Sequence, residues 1–186
     1  MTGAEGEPDA VIRNADDGDL EAIVGIYAHH LLTGLASFEE VPPDLAEIAR
    51  RRDAVVALGL PYLVAEQAGV VSGFAYAGPF RTRPAYRHTI ENSVYVAPDA
   101  AGLGLGRLML SALIERCSAG GYRQMVAVIG DSQNTASIAL HAAMGFREIG
   151  TLRSTGFKFG RWVDTVLMQR SLGKGDTTLP GPDTKD

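Results

Sequence analysis

Thr89-Ile90-Glu91-Asn92-Ser93-Val94-Tyr95-Val96, followed by Ala101-Gly102-Leu103-Gly104-Leu105-Gly106-Arg107 and then Gln124-Met125-Val126-Ala127-Val128-Ile129, decides the fold. The first segment is rich in β-branched and aromatic residues and reads as a strand; the third is an apolar run of strand length. Between them, residues 105–119 place Leu105, Leu108, Met109, Ala112 and Leu113 on one side of a helix. Strand, helix, strand requires two neighbouring parallel strands with the helix laid across them. The glycine-rich turn then stands at the carboxyl end of the first strand and opens the helix. There the glycines let backbone N–H groups converge and the helix dipole favours an anion, so a phosphate or pyrophosphate is the natural occupant. The spacing is G-x-G-x-G. It departs from the dinucleotide fingerprint, which wants glycine at 107, and lacks the Gly-Lys-Ser/Thr ending of a P-loop. Taken alone, the same glycines serve equally well as a tight turn.

Working outward, Tyr62-Leu63-Val64-Ala65-Glu66 and Val70-Val71-Ser72-Gly73-Phe74-Ala75-Tyr76 flank Gln67-Ala68-Gly69, which predicts an antiparallel hairpin with a longer loop. Earlier still, Val11-Ile12-Arg13 reads as a short strand. Asp16, with Asp19 three residues on, caps a helix that carries Leu20, Ile23, Val24, Tyr27 and Leu31 on one face. Pro42-Pro43-Asp44 opens a second helix to about residue 58, stopped by Gly59 and Pro61. Downstream, a last helix is expected over 134–144, ended by Gly145, then strands over 146–152 and 162–169. The fold class is α/β: a mixed sheet flanked by helices in one domain over 10–172. Residues 1–9 and 173–186, rich in Gly, Pro, Thr and charge, are expected as loose tails.

A chain of 186 residues, 46% hydrophobic and 21% charged, buries one sizeable core. Its formal net charge of −5 repels a polyanion, and Arg50-Arg51-Arg52 is too short to form a basic groove, so nucleic acid is not expected as a partner. The triplet reads as a solvated feature at a helix end. Cys117 is the single cysteine, which excludes an internal disulfide and a thiolate metal site. His29, His30 and His88 form no ligand grouping with carboxylates, so no metal is expected. No apolar run approaches the roughly 20 residues of a membrane span, and the first ten residues lack the regions of a signal peptide; a cytoplasmic protein is the expectation.

In the expected last helix, Asn134, Ser137 and His141 fall at i, i+3 and i+7 and share a face, beside Ile138, Leu140 and Met144. Ser93-Val94-Tyr95-Val96, then 102–107, then Asn134-x-x-Ser137-x-x-Leu140-His141-x-x-x-Gly145-Phe146 resembles the acetyl-CoA-binding core of the GNAT acetyltransferases. Tyr76-Ala77-Gly78-Pro79-Phe80-Arg81, Glu91 to Val96, Val126-Ala127-Val128-Ile129 and Gly156-Phe157-Lys158-Phe159-Gly160-Arg161-Trp162 are similar to the subgroup of phosphinothricin and methionine sulfone or sulfoximine N-acetyltransferases. That resemblance covers most of 11–172.

It implies direct acetyl transfer in a ternary complex, with acetyl-CoA wedged between splayed parallel strands. The cofactor would bond strand backbone from Ser93 to Val96, the turn Ala101, Gly102, Leu103, Gly104, Leu105, Gly106 and Arg107, and Asn134 and Ser137. An amine must be uncharged to attack a thioester, so a base is needed, and the resemblance puts Glu91 there. His141 stands where many GNAT enzymes carry a tyrosine; it suits an acid, a base or only a hydrogen-bond partner. Phe80, Arg81 and Thr82 with Ile90, Glu91 and Asn92 match stretches that line the acceptor site, where an arginine suits an amino-acid carboxylate; Phe38, in Ser37-Phe38-Glu39, falls in a loop that contacts substrate in related enzymes. Lys158 and Trp162 match the subgroup too, the tryptophan as a packing residue. The position usually held by Arg or Gln is Ala101, which removes a charged contact and predicts weaker cofactor binding. The resemblance also implies a homodimer, to which the Phe80 to His88 loop and the final strand would contribute. Two other readings keep the fold: a different acceptor, either another small amine or a peptide N-terminus, and a non-catalytic acyl-CoA sensor.

Overall fold

In the computed structural model, which describes residues 10–180, the chain runs β1 (Val11–Asn14), α1 (Leu20–Thr33), α2 (Leu45–Ala57), β2 (Tyr62–Gln67), β3 (Val70–Pro79), β4 (Thr89–Val96), α3 (Leu105–Ala119), β5 (Gln124–Gly130), α4 (Thr135–Ala143), β6 (Arg147–Lys158) and β7 (Arg161–Ser171). The seven strands form one sheet in the order β1-β2-β3-β4-β5-β7-β6. Only β4 and β5 run parallel, and α3 is their crossover. Helices α1 and α2 cover one face of the sheet, α3 and α4 the other. The core between them holds Ile23, Leu31, Leu63, Phe74, Ile90, Met109, Leu113 and Met125, each at most 1% exposed.

Local chemistry sets the boundaries. Asp16 accepts from the Gly18 N–H while the Asp19 carboxylate accepts from the Asp16 N–H, and this capping box forms a short 3-10 turn from which α1 starts. Asp44 caps α2 through the Glu47 N–H at 2.8 Å. The β2–β3 hairpin is tighter than expected. Ala68 and Gly69 both adopt positive φ, 48° and 80°, which closes the strands with two residues, and the extra residue is absorbed by a bulge at Ala65/Glu66.

Helix α3 has the expected ends, but its buried face is shifted: Leu110 is fully buried and Leu108 only partly. Strands β6 and β7 are longer than expected and make one hairpin through Phe159 and Gly160, both at positive φ. Beyond β7, Leu172 is buried, and the Arg123 guanidinium donates to carbonyls of Gly175, Thr178 and Leu179. Residues 173–180 are therefore tied down rather than loose; 1–9 and 181–186 lie outside the described residues.

The basic triplet is not at a helix end, and only Arg50 of the three is mostly exposed to solvent. It stands inside α2, Arg52 is buried and paired with Asp17 and Asp53, Arg50 pairs with Glu47, and Arg51 pairs with both Glu39 and Glu47. Cys117 is buried and reduced, its thiol pushed up to about 12 by desolvation. No helix among the described residues is long and apolar enough to cross a membrane.

Candidate functional site

Strands β4 and β5 pair only from Thr89↔Gln124 to Asn92↔Ala127. Beyond that point β4 stays with β3 and β5 with β7, so the two parallel strands part and leave a gap in the sheet. The gap opens into a cleft of about 730 Å³ between the start of α3 and α4. Its narrow inner end, about 60 Å³, is lined by Asn92, Ser93 and Val128.

Alternation along β4 decides what the gap offers. Thr89 accepts from the Phe80 N–H, and Ala97 donates to the Ser72 carbonyl, so odd-numbered residues turn their backbone toward β3. Val94 and Val96 therefore turn theirs into the gap. The expected backbone contacts from Ser93 to Val96 narrow to these two, because Ser93 and Tyr95 spend their groups on β3. One is already taken: His30 of α1 donates its Nε2–H to the Val96 carbonyl at 2.8 Å. Among the described residues, the N–H and C=O of Val94 and the N–H of Val96 have no partner across the gap and are available to a ligand.

At the mouth, Gly102 and Gly104 have φ of 82° and 81°, which only glycine adopts without strain, and Gly104 caps α3. The first N–H groups of α3 have no intrahelical partner and face this turn. Gly106 has a different reason: a Cβ there would stand 3.2 Å from Leu140 Cδ2, so it allows α3 to approach α4. Ala101, Gly102, Gly104, Leu105, Gly106 and Arg107 line the cleft; Leu103 does not and is exposed. Asn134 accepts from the Ser137 N–H at 3.2 Å, and both residues line the cleft with His141. The turn is rich in donors and carries one cation, Arg107, which suits a pyrophosphate even without a charge at Ala101.

His141 is 4% exposed and engaged at both ring nitrogens. The Asn92 amide donates to the Val126 carbonyl at 3.2 Å, which aims its Oδ1 at His141 Nε2, 3.0 Å away; Nε2 is therefore the donor. Nδ1 faces Ser137, 3.4 Å from its hydroxyl and 2.8 Å from its carbonyl. Burial lowers the His141 pKa, and the Ser137 carbonyl, which can only accept from Nδ1, opposes that shift.

Glu91 is on the other face. Side chains alternate, so Glu91, Ser93 and Tyr95 face α1 and α2, whereas Ile90 and Asn92 face α3 and α4. Ile90 is fully buried in the core and Asn92 is bonded to His141, so both side chains lie on the face opposite Glu91. Burial pushes the Glu91 carboxyl up, and the charge of Arg81 partly opposes this. Phe80 packs edge-on against Tyr86, with the Arg81 guanidinium 4.9 Å from the Phe80 ring centre. Thr82 is exposed.

Over this face runs the α1–α2 connection, held from below at three points. A Cβ on Gly130 would stand 2.2 Å from the Leu35 carbonyl oxygen, and one on Gly156 would stand 2.6 Å from the Phe38 ring. Lys158, 2% exposed, donates to the Ser37 carbonyl at 2.8 Å. Trp162, expected to be packed, is 66% exposed and touches Phe157 edge-on. His30, Gly130, Gly156 and Lys158 were not singled out as site residues from sequence. Gly156 and Lys158 stood only within a motif shared with the subgroup, and His30 only as a polar residue one turn from Tyr27 on the apolar face of its helix.

The model of the acetyltransferase (GNAT) family matches residues 25–146. The chain is 60% identical over 169 residues to a phosphinothricin N-acetyltransferase of Alcaligenes faecalis, covering 91% of this chain and 86% of that one. It is 43% identical over 161 residues to an L-methionine sulfoximine/L-methionine sulfone acetyltransferase of Salmonella typhimurium, covering 87% and 94%. A solved phosphinothricin acetyltransferase of Sinorhizobium meliloti in complex with acetyl-CoA superposes with a TM-score of 0.92 at 47% identity, over 95% of this chain and 96% of that one.

Proposed function

Given that this chain belongs to the GNAT acetyltransferase family and is an acetyl-CoA-dependent N-acetyltransferase, we propose that it acetylates the α-amine of a small amino-acid-like acceptor of the phosphinothricin, methionine sulfone or methionine sulfoximine type. The observation that carries the acceptor side is the half-buried Glu91 carboxylate beside Arg81, across β4 from the His141 and Asn92 pair. Names of the relatives support the acceptor class.

The thioester supplies an activated acyl carbon, and the residues supply place and proton. The N-terminal turn of α3 holds the pyrophosphate, while Val94 and Val96 hold the pantetheine arm through the gap. Arg81 pairs with the acceptor carboxylate and brings the ammonium to Glu91. With its pKa raised by burial, Glu91 takes that proton more readily than an ordinary carboxylate. The freed amine attacks the acyl carbon, the nitrogen sheds a second proton as the C–S bond breaks, and that proton passes to the departing thiolate to give the free thiol. No covalent enzyme intermediate is needed; Cys117 is buried in α3 with its thiol protonated. His141 serves as the hydrogen-bond partner that fixes Asn92 at the point where β4 and β5 part.

A homodimer belongs to the same proposal, supported by the exposed Ile149, Phe157, Phe159 and Trp162 of the β6–β7 hairpin. A cytoplasmic location is supported by the requirement for acetyl-CoA, an intracellular metabolite.

The test is thiol detection of released CoA with methionine sulfone, methionine sulfoximine, phosphinothricin, ordinary amino acids and a short peptide, for the wild type, Glu91→Gln and Arg81→Ala. Turnover of the sulfone-type acceptors, lost by about 10²-fold or more in Glu91→Gln, is expected. Turnover of other amines only would overturn the acceptor class, and tight acetyl-CoA binding without turnover of any amine would leave a sensor.

A further inference from the structure

Beside Glu91, the sheet and α2 enclose a second cavity of about 270 Å³. Tyr62, Phe74 and Tyr76 form its sheet wall. The Tyr62 and Tyr76 rings stack at 5.1 Å and those of Phe74 and Tyr76 at 6.4 Å, and Tyr27 meets Phe74 edge-on at 6.2 Å. Tyr76 pairs with Ser93, and Gly78, two residues further along β3, pairs with Glu91. Tyr76 thus borders the cavity on one side and Glu91 on the other, close enough for the Glu91 charge to act on its hydroxyl.

Tyr62 is 4% exposed and lines the cavity, and among the described residues its hydroxyl has no hydrogen-bond partner. The hydroxyl is not sealed from solvent but faces the cavity, where a ligand oxygen can take the place of water. The rim is charge-balanced: Arg50 and Arg51 are matched by Glu47 and Glu39. At about nine waters' worth of liquid volume, the space suits a flexible side chain of a few heavy atoms.

Resting on the amino-acid acceptor reading above, we infer that this cavity receives the acceptor's side chain and that Tyr62 donates to an oxygen at its end. The aromatic wall takes the methylene stem. The absence of a net positive rim favours an uncharged dipolar end group, a sulfone or sulfoximine, over an anionic phosphinate.

The test compares kcat/KM for methionine sulfone, for methionine, which has the same stem without the oxygens, and for phosphinothricin. Tyr62→Phe keeps the ring and removes the hydroxyl; the ratio of sulfone to methionine should fall about five- to tenfold. Ala54→Phe fills the cavity and should raise KM for the sulfone about tenfold or more, with acetyl-CoA affinity by calorimetry unchanged. An unchanged ratio in Tyr62→Phe, or a wild-type sulfone KM in Ala54→Phe, overturns the inference while the acceptor class stands. Preference of the wild type for phosphinothricin over the sulfone overturns the uncharged end group. No turnover of sulfone or phosphinothricin by the wild type fails the acceptor reading itself, and the inference with it.

Discussion

Gly130→Ala is the most direct way to perturb the α1–α2 connection over the proposed acceptor site without touching a proposed reacting group. The added methyl would stand 2.2 Å from the Leu35 carbonyl oxygen and 3.1 Å from that of Ala36, against ordinary contacts of 3.4 Å or more. Both neighbours are backbone, so no rotamer relieves the clash. The α1–α2 connection or the end of β5 must move by about 1 Å, and overpacking of this kind costs about 1–3 kcal/mol. For a domain of this size that corresponds to a fall in Tm of about 2–12 °C. A displacement of about 1 Å in a positioned site also costs about 10²-fold in turnover. Circular dichroism melting and steady-state kinetics measure the two effects, and Gly150→Ala in β6, where a Cβ meets nothing within 4 Å, is the control. If Gly130→Ala melts with the control and keeps wild-type kcat/KM, the connection is not held where the structure places it.

The pH profile tests Glu91. Its carboxyl is raised by burial and lowered by Arg81, so the acid limb of kcat/KM should lie above the ordinary carboxylate range near 4.3 and rise further in Arg81→Ala. A limb that stays put or falls in Arg81→Ala contradicts the assigned proximity. His30→Met should raise KM for acetyl-CoA about tenfold by leaving the Val96 carbonyl unheld, and His30→Gln, which restores an N–H donor, should recover most of it. Equal KM values in the two variants would remove the positioning role of His30.

The parallel unit around the glycine turn was readable because its signals are local. Strand composition, helical period and glycines at positive φ act within a few residues, and the ends of α3 fall at Leu105 and Ala119 as expected. The hairpin β6–β7 was read too short because Ser154, at φ 54°, and the register shift between Leu152 and Gly156 interrupt the pattern of a single long strand. The candidate residues could be singled out by position but not by the face they occupy. Glu91, Asn92 and His141 were all singled out, yet only sheet register shows that Glu91 faces α1 and α2 while Asn92 turns to His141. His30 escaped because its partner is a main-chain carbonyl 66 residues away, and Gly130 and Gly156 because what they make room for is another part of the chain.

The bond from Lys158 to Ser37 spans 121 positions of sequence. The glycine turn, α3 and α4 all precede Phe146, but the gap between β4 and β5 opens because β5 follows β7, so the cleft and the roof over Glu91 both wait for the last strand pair. The proposed cofactor and acceptor sides would thus become competent together, on completion of the long-range pairing that closes the fold.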